Sequence, residues 1–329
     1  MSLISSILPS HFPTSLQIKS LIHTLYIFAI ISVLLAKYNR KLNGFLRYGK
    51  TLSNVSPPVS SSSSINGDHV SSKEEQGTDD YEISHLDIIE KLISLRVPKL
   101  WFFHFYLLSF FLSLLGFLIL HLNLEYGFSP PEILIREIND PERQSLVSCD
   151  VARVVFFLIL GHSTRRLVET LFIMRYGRGS KMNISHYFVG IFFYTSINLL
   201  LLLSTDFQEP ETLTEKDQGE IFDPVLFGSC ILFFLASLDQ FMNHIHLSNI
   251  VKYNLPKFGF FKYICCAHYF DEILMYLSIF AAIRNFSFAL VLLWVVINLS
   301  VSAIESREFY KRRDILGKVP KWSIIPCIV

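Results

Sequence analysis

A histidine, two arginines and a glutamate interrupt an apolar run in the stretch LGHSTRRLVETLFIM, residues 160–174. On a helix, Arg165 and Glu169 lie four residues apart and share a face, and His162 and Arg166 have the same spacing. Guanidinium groups held by a carboxylate can bind an anionic ligand or stabilise negative charge that develops in a reaction. The pattern therefore indicates a cation site that faces the interior of a helical bundle. Snorkelling arginines at a helix end are the alternative, which leaves Glu169 unexplained.

Two further polar clusters stand at the ends of other apolar stretches. In LDQFMNHIHLSN, Gln240 and His244 share a helical face. In CCAHYFDEILMY, His268 lies one turn before Glu272. A carboxylate one turn from a histidine can bind a polar ligand or tune the pKa of that histidine. An ordinary polar helix end is the alternative interpretation of both clusters.

The stretch VPKLWFFHFYLLS adds His104 and Tyr106, which stand among other aromatic residues. Both can donate a proton to a reacting group. An aromatic belt at the membrane interface explains the same residues equally well.

Membrane spans are the elements that must position these residues. Of the 329 residues, 51% are hydrophobic and 17% are charged, whereas soluble domains average about 25% charged residues. The apolar residues lie in blocks of roughly 20, which is the length of a bilayer-spanning helix. The sequence therefore predicts an all-α integral membrane protein with about seven transmembrane helices. The expected spans are residues 18–35, 101–122, 151–174, 184–203, 222–242, 264–283 and 286–304.

The distribution of Lys and Arg predicts the orientation of these spans. The segments 37–100, 175–183, 243–263 and 305–329 contain 21 Lys and Arg, whereas the alternate segments contain four. By the positive-inside rule, the N-terminus is lumenal and the C-terminus is cytosolic. The three strongest polar clusters then lie at the cytosolic ends of the third, fifth and sixth spans. We therefore expect them to converge near one leaflet, where a soluble cofactor can meet a membrane-dissolved substrate.

The chain divides into three predicted parts. Residues 1–36 form an N-terminal anchor helix, and residues 37–100 form a cytosolic loop. Ser-rich residues 51–80 within that loop have no periodic apolar face and are predicted to be disordered. Residues 101–329 form a six-helix core. The Asn54-Val55-Ser56 sequon faces the cytosol in this topology and should carry no glycan.

Several classes of function are disfavoured by what the sequence lacks. The net charge of +1 gives no field that would attract nucleic acid. The five cysteines form no CxxC pair, and the histidines do not form the HxxHH boxes of membrane di-iron enzymes, so no metal site is expected. No G-x-S-x-G elbow, Rossmann fingerprint or P-loop is present.

Several segments together resemble a known family. FLRYGKT, VPKLWFFHFYLLS, HSTRRLVE, DQFMNH and LPKFGFFKYICCAHYFDEILMY occur in this order, and the tail REFYKRR…VPKWSIIPCIV also fits. They are similar to the polyprenol/polyprenal reductase branch of the steroid 5α-reductase family. The resemblance covers most of the chain outside residues 52–95, and residues 180–329 match the C-terminal region of that family.

This resemblance implies a seven-helix enzyme of the endoplasmic reticulum membrane. Such an enzyme uses NADPH to reduce the α-isoprene double bond of polyprenal to dolichal, on the way to dolichol for protein N-glycosylation. A long-chain isoprenoid and membrane lipid are the implied partners, and no nucleic acid or obligate protein partner is expected. The resemblance places Arg166 near the active centre. Arg165 and Glu169, which the residue pattern marks as a cation site, are predicted to bind the cofactor. The other implied cofactor-binding residues are Gln240, His244, Tyr263, His268, Glu272 and Tyr310.

The group that contacts the substrate carbonyl stays open at this stage. Hydride addition to an enal creates an enolate, which a positioned donor or cation stabilises. Ser163 occupies the position at which the steroid-reducing branch has a tyrosine, so the donor is sought among Tyr106, His104 and His162. Two other functions remain as alternatives: a membrane methyltransferase of the isoprenylcysteine type, and a non-catalytic isoprenoid- or sterol-binding protein.

Overall fold

The structure is a computed structural model that describes residues 14–39, 42, 94–128, 130, 146–177, 179–207, 223–251, 254–313 and 319–325. The Ser-rich segment 51–80, with Asn54, and the FLRYGKT segment lie outside these residues. Seven long helices follow one another in the described part of the chain. They are α1 (Ser15–Tyr38), α2 (Phe102–Tyr126), α3 (Cys149–Val168), α4 (Ile184–Leu203), α5 (Pro224–Asn249), α6 (Ala267–Ile283) and α7 (Phe286–Arg312).

The helices begin where a side chain can satisfy the free backbone N–H groups of the first turn. Thr14 and Gln17 form a reciprocal capping box at the start of α1. A side-chain oxygen of Ser, Asn or Asp accepts a backbone N–H at four other starts. These N-cap residues are Ser148, Asn183, Asp223 and Asn285.

Within the described residues, four short strands connect the helix ends in pairs. They are β1 (Arg96–Pro98), β2 (Val147–Ser148), β3 (Lys181–Asn183) and β4 (Thr205–Asp206). Strand β1 pairs antiparallel with β3, and β2 pairs parallel with β4. The sequence analysis predicted no strands, because segments of two or three residues are too short to show an alternating pattern.

These pairs place successive helix ends on alternate sides of the bundle. Since β1 precedes α2 and β3 precedes α4, those two helices start on the same side. Since β2 precedes α3 and β4 follows α4, the start of α3 and the end of α4 share the other side. Two ion pairs extend this pattern to the other helices. Lys37 Nζ lies 2.6 Å from Glu305 Oε1 near the ends of α1 and α7, and Arg284 Nη2 lies 2.5 Å from Asp223 Oδ2.

Close helix contacts occur at two glycines. Helix α2 packs against α3 and α4, α5 packs against α6, and α1 packs against α7. A Cβ atom built on Gly116 would lie 2.4 Å from Phe156 Cε1, and one on Gly190 would lie 2.6 Å from Phe105 Cζ. Only glycine permits these approaches between α2 and its two neighbours.

Five helices of the described chain are long and apolar enough to cross a membrane, so the chain is a multi-pass membrane protein. They are α1, α2 with its preceding turn, α4, α5 and α7. The other two helices do not fit that description, because α6 has only 17 residues and α3 contains Asp150 and three arginines, Arg153, Arg165 and Arg166. The predicted span 184–203 coincides with α4, whereas α5 extends to Asn249, beyond the predicted end at residue 242.

Candidate active site

The third predicted span ends in a widened turn. Helix α3 is regular up to Val168, and Glu169–Ile173 forms a π-helical turn that closes with a hydrogen bond from the Met174 N–H to the Glu169 carbonyl. Such turns are rare in proteins and occur frequently at functional sites. The sequence predicted one helix through residue 174. The π turn was not foreseen, because its residues, ETLFI, have no signal that separates them from a regular helix.

The carboxylate of Glu169 is fully buried and lies at the centre of the first polar cluster. It accepts hydrogen bonds from Arg165, at 2.5 Å from Nη1 to Oε1, and from Arg166. His244 Nδ1 lies 2.7 Å from Glu169 Oε2. The same nitrogen lies 2.9 Å from Arg166 Nη1, so it faces both a carboxylate and a guanidinium. The π turn and α5 are therefore joined through a charged hydrogen-bond network inside the bundle.

Gln240 connects this network to α6. Its Oε1 accepts from Arg165 Nη2 at 2.6 Å, and its Nε2 donates to Glu272 Oε2 at 2.5 Å and to the His268 carbonyl at 3.0 Å. His162 lies between Arg165 and Glu272, with Nε2 3.5 Å from Glu272 Oε1. The two arginines and two glutamates balance in formal charge, as a buried network requires. The three clusters predicted from the sequence thus converge in space.

Tyr106 joins the same network from α2, and His104 does not. The buried Tyr106 hydroxyl accepts a hydrogen bond from Arg166 Nη2 at 2.8 Å. His104 instead lies 3.3 Å from the hydroxyl of Tyr187 and packs against Trp101, on another side of α2. Of the candidate donors, Tyr106 and His162 therefore contact the charged network.

The remaining predicted cofactor-binding residues lie around the N-terminal end of α6. Tyr263 follows the 3-10 turn Gly259–Lys262 and is 64% exposed, so its ring is accessible to a ligand. The Tyr310 hydroxyl donates to the Asn254 carbonyl at 3.4 Å, beside the same loop. The His268 ring centroid lies 5.8 Å from that of His244. These side chains lie on the side of the bundle where α5 ends and α6 begins.

Two buried nitrogens of the network, Arg165 Nε and His162 Nε2, form no hydrogen bond within the described chain. Arg165 Nε is buried and has no hydrogen-bond acceptor among the residues that the structure describes. A buried guanidinium N–H without a partner is costly, and an oxygen of a bound ligand would satisfy it. The network therefore fits a ligand that brings hydrogen-bond acceptors, such as a nucleotide cofactor. Within the described chain, no group of three or more metal-ligating side chains is present.

An apolar cavity lies beside the network, in the middle of the bundle. It is a narrow space between α2, α3, α4, α5 and α6. Most of its lining is apolar, including Ile159, Phe233 and Ile279. Its polar lining residues are Ser109, His162, Tyr194 and Tyr276. Because His162 belongs to both the cavity and the network, a ligand in the cavity would contact the charged groups.

The sequence analysis did not select three of these polar lining residues. Ser109 and Tyr194 stand in apolar spans without a charged neighbour to mark them, and Tyr276 ends the stretch CCAHYFDEILMY, in which only His268 and Glu272 were selected. A signal does exist for Ser109, because Ser113 follows one turn later and both fall on the buried face of α2. That signal is weak, since serines are common where membrane helices pack closely.

Comparison with known proteins relates this arrangement to one family. The family described as 3-oxo-5-alpha-steroid 4-dehydrogenase matches residues 180–327. The polyprenal reductase of Saccharomyces cerevisiae is 34% identical over 242 residues, which cover 74% of this chain and 79% of that protein. The polyprenal reductase of Drosophila melanogaster is 28% identical over 66% of this chain and 72% of its own length. That of Xenopus laevis is 26% identical over 70% and 77%.

The matched residues include α4 to α7 and therefore Gln240, His244, His268 and Glu272 of the network. The resemblance stated from the sequence segments is confirmed by these matches. The chain therefore belongs to the steroid 5α-reductase family, in its polyprenal reductase branch.

Proposed function

We propose that the protein reduces the α-isoprene double bond of polyprenal to give dolichal, the aldehyde that precedes dolichol in the supply of lipid carrier for protein N-glycosylation. Similarity to polyprenal reductases over most of the chain carries this proposal. The geometry supports it, because a narrow, mostly apolar cavity borders a charged, hydrogen-bonding network. The similarity to reductases gives no support to a methyltransferase or a passive lipid-binding protein.

Membership of the family implies a nicotinamide cofactor, and we propose that it is NADPH. When bound, the reduced nicotinamide supplies the hydride that adds to the β-carbon of the enal. Arg165 offers its unpartnered Nε to a cofactor oxygen. Glu169 holds both guanidinium groups in place, and exposed Tyr263 offers a ring for stacking. The other side chains that would contact the cofactor are Gln240, His244, His268, Glu272 and Tyr310.

In this proposal Tyr106 supplies the proton. Hydride addition leaves negative charge on the substrate as an enolate, and a proton must then reach its α-carbon. Arg166 donates to the Tyr106 oxygen, and its guanidinium lies 4.9 Å from the centroid of the Tyr106 ring. This cation stabilises the phenolate that forms when Tyr106 gives up its proton. His104 lacks such a partner in its contacts with Tyr187 and Trp101.

We further propose that all seven helices cross the endoplasmic reticulum membrane, with the N-terminus in the lumen and the C-terminus in the cytosol. The alternation of helix ends fixed by the strand pairs and the two ion pairs supports this arrangement. The charged network then lies on the cytosolic side, where NADPH is available. Burial against the other helices lets α3 carry its two arginines within the bundle.

Turnover of the purified protein tests this function. With polyprenal and NADPH that carries deuterium at the transferred position, we expect dolichal with one deuterium at the β-carbon, measured by mass spectrometry. NADH and S-adenosylmethionine serve as comparison co-substrates. Failure of the purified protein to consume the enal with NADPH would contradict the proposal, and a methylated isoprenoid product would favour the methyltransferase.

A further inference from the structure

A short chain of polar side chains crosses the interior of the bundle beside the cavity. The Ser163 hydroxyl of α3 donates to Ser109 Oγ of α2 at 2.7 Å. The Asn198 side-chain amide of α4 lies 3.3 Å from the same Ser109 oxygen and donates to the Tyr194 carbonyl at 2.8 Å. The three side chains that form this hydrogen-bonded row, Ser109, Ser163 and Asn198, are all buried.

The direction of these hydrogen bonds follows from the groups that they join. The Tyr194 carbonyl can only accept, so the Asn198 atom that faces it is the amide nitrogen rather than the oxygen. That nitrogen also faces Ser109, where it acts as a donor. Ser109 Oγ therefore accepts from both Asn198 and Ser163. A serine hydroxyl has two acceptor lone pairs and one proton, and these contacts occupy the lone pairs.

The proton of Ser109 is thus left for a further acceptor. Among the described residues, the hydrogen bonds to Ser109 Oγ are those that it accepts from Ser163 and Asn198. Ser109 also lines the cavity, and in the described part of the chain no hydrogen bond joins its hydroxyl to the other polar lining residues, His162, Tyr194 and Tyr276. A hydroxyl oriented in this way meets a substrate oxygen without having to break an existing bond, which is the preorganisation that stabilises developing charge.

We propose that Ser109 is a catalytic residue that donates a hydrogen bond to the aldehyde oxygen of the substrate. This inference rests on the proposed reduction of an α,β-unsaturated isoprenoid aldehyde. When the hydride adds to the β-carbon, the electron pair of the α,β double bond moves towards the carbonyl, and the oxygen becomes an enolate. Ser109 keeps its proton and stabilises this oxygen, while Tyr106 gives a proton to the α-carbon. The products are the saturated aldehyde and the oxidised cofactor, and the Tyr106 phenolate recovers a proton from water.

The spacing of Ser109 and Tyr106 suits this division of roles. Residues three apart on a helix share a face, with Cβ atoms about 5–6 Å apart. Both residues lie on the buried side of α2. The Tyr106 ring also packs against Tyr194, another lining residue of the cavity, with centroids 5.4 Å apart. The carbonyl donor and the proton donor are thus separate groups on one helix.

Steady-state kinetics of S109A with polyprenal and NADPH test the proposal. We expect kcat to fall about 100-fold, which is the typical loss when one oxyanion donor is removed. S163A removes a donor to Ser109 but leaves the Ser109 hydroxyl in place, so its kcat should fall less than tenfold. S113A is the matched control, because the Ser113 hydroxyl bonds the Ser109 and Phe110 carbonyls of its own helix, and its kcat should equal that of the wild type.

A vibrational measurement separates this role from a structural one. Citral contains the same α,β-unsaturated isoprenoid aldehyde, and a hydrogen bond to its oxygen lowers the C=O stretching frequency. We expect a lower frequency for citral bound to the wild-type protein with oxidised cofactor than for citral bound to S109A. Equal frequencies, or an unchanged kcat in S109A beside an active wild type, would overturn the inference while the proposed function stands. A wild type that does not reduce polyprenal would overturn both.

Discussion

At Glu169 two guanidinium groups and one imidazole meet a carboxylate that solvent does not reach. Each of these groups would be costly to bury alone, and together they satisfy one another. Glu169 itself continues the regular path of α3, because its N–H bonds the Arg165 carbonyl, and the π turn begins at this residue. Glu169 therefore orders Arg165 and Arg166 for ligands rather than contacting the substrate itself.

Replacing Glu169 with Gln should destabilise the protein strongly. The amide keeps the shape of the side chain, but it leaves Arg165 and Arg166 without a counter-charge, and breaking a buried pair costs about 3–5 kcal/mol. Glu125→Gln is the matched control, since Glu125 pairs with Arg153 at 51% side-chain exposure and should contribute less than about 1 kcal/mol. Denaturant unfolding in detergent gives both values. Equal losses in the two variants would contradict a central role for Glu169.

Replacing Tyr106 with Phe should lower kcat about 100-fold or more, since a general acid typically contributes 10²–10⁴ in rate. Binding of the cofactor, measured by fluorescence of NADPH, should change little, because the arginines keep Glu169 as a partner. Tyr126→Phe removes a hydroxyl from the exposed far end of the same helix and should leave kcat unchanged. If His104→Ala abolished turnover while Tyr106→Phe did not, the proton donor would be His104.

The extent to which the sequence predicted these groups differs from residue to residue. Arg165, Arg166 and Glu169 were selected because charge in an apolar span is costly and therefore marks a site. Gln240 and Glu272 were selected because polar residues one turn apart share a face. Ser109 escaped notice, because a hydroxyl costs little in a span and only its partners on α3 and α4 reveal the direction of its proton.

Helix α2 positions both proposed reacting groups, and its distance from α4 depends on Gly190. The Phe105 ring lies over Gly190, and it packs between Tyr187 and Tyr194, with centroids 5.4 and 6.3 Å away. Any side chain at position 190 must displace this ring, and Phe105 is the direct neighbour of Tyr106. The close contact between α2 and α4 therefore controls the position of Tyr106, the proposed proton donor.

Gly190→Ala should lower both stability and turnover. The new Cβ would lie less than 3 Å from three atoms of the Phe105 ring, and overpacking of this kind costs about 1–3 kcal/mol. Gly228→Ala in α5 is the matched control, because nothing lies within 4 Å of a Cβ there and alanine suits a helix better than glycine. Melting temperature and kcat are measured for both. A Gly190→Ala variant as active and stable as Gly228→Ala would contradict the close approach.

At the scale of elements, the sequence predicted helices well and their connections poorly. Each predicted apolar span longer than about 17 residues corresponds to a helix in the structure, because a backbone that crosses a membrane must satisfy its own hydrogen bonds. The strand pairs β1–β3 and β2–β4 and the π turn depend on contacts between distant segments. A local sequence pattern does not indicate which distant segments will pair, so these features could be identified only from the structure.

Over the whole molecule, α1 is bound to the rest of the bundle by polar contacts along its length. The buried Tyr26 hydroxyl lies 2.7 Å from Ser196 Oγ of α4, and His23 Nε2 lies 2.9 Å from Ser287 Oγ of α7. Lys37 adds the ion pair with Glu305 near the other end. The predicted division into an anchor helix and a six-helix core stays a prediction, and these contacts favour α1 as a part of the packed bundle.

These contacts also predict that the two ends of the chain lie on opposite sides of the membrane. Because His23 meets the first residues of α7 and Lys37 meets Glu305 near its end, α1 and α7 run parallel. If they enter from the lumen, an N-glycosylation site fused before residue 1 should be modified, and one fused after residue 329 should not. The native Asn54 should also stay unmodified, since it follows α1 on the cytosolic side.

The experiment requires only a mobility shift that a glycosidase reverses, in microsomes that contain each tagged chain. Lys37→Glu combined with Glu305→Lys keeps the ion pair with its charges exchanged, and it should preserve the glycosylation pattern and activity better than either single change. A glycan at the C-terminal tag would mean that the helices cross in the opposite sense. The charged network of Arg165, Arg166 and Glu169 would then face the lumen, away from the cytosolic pool of NADPH.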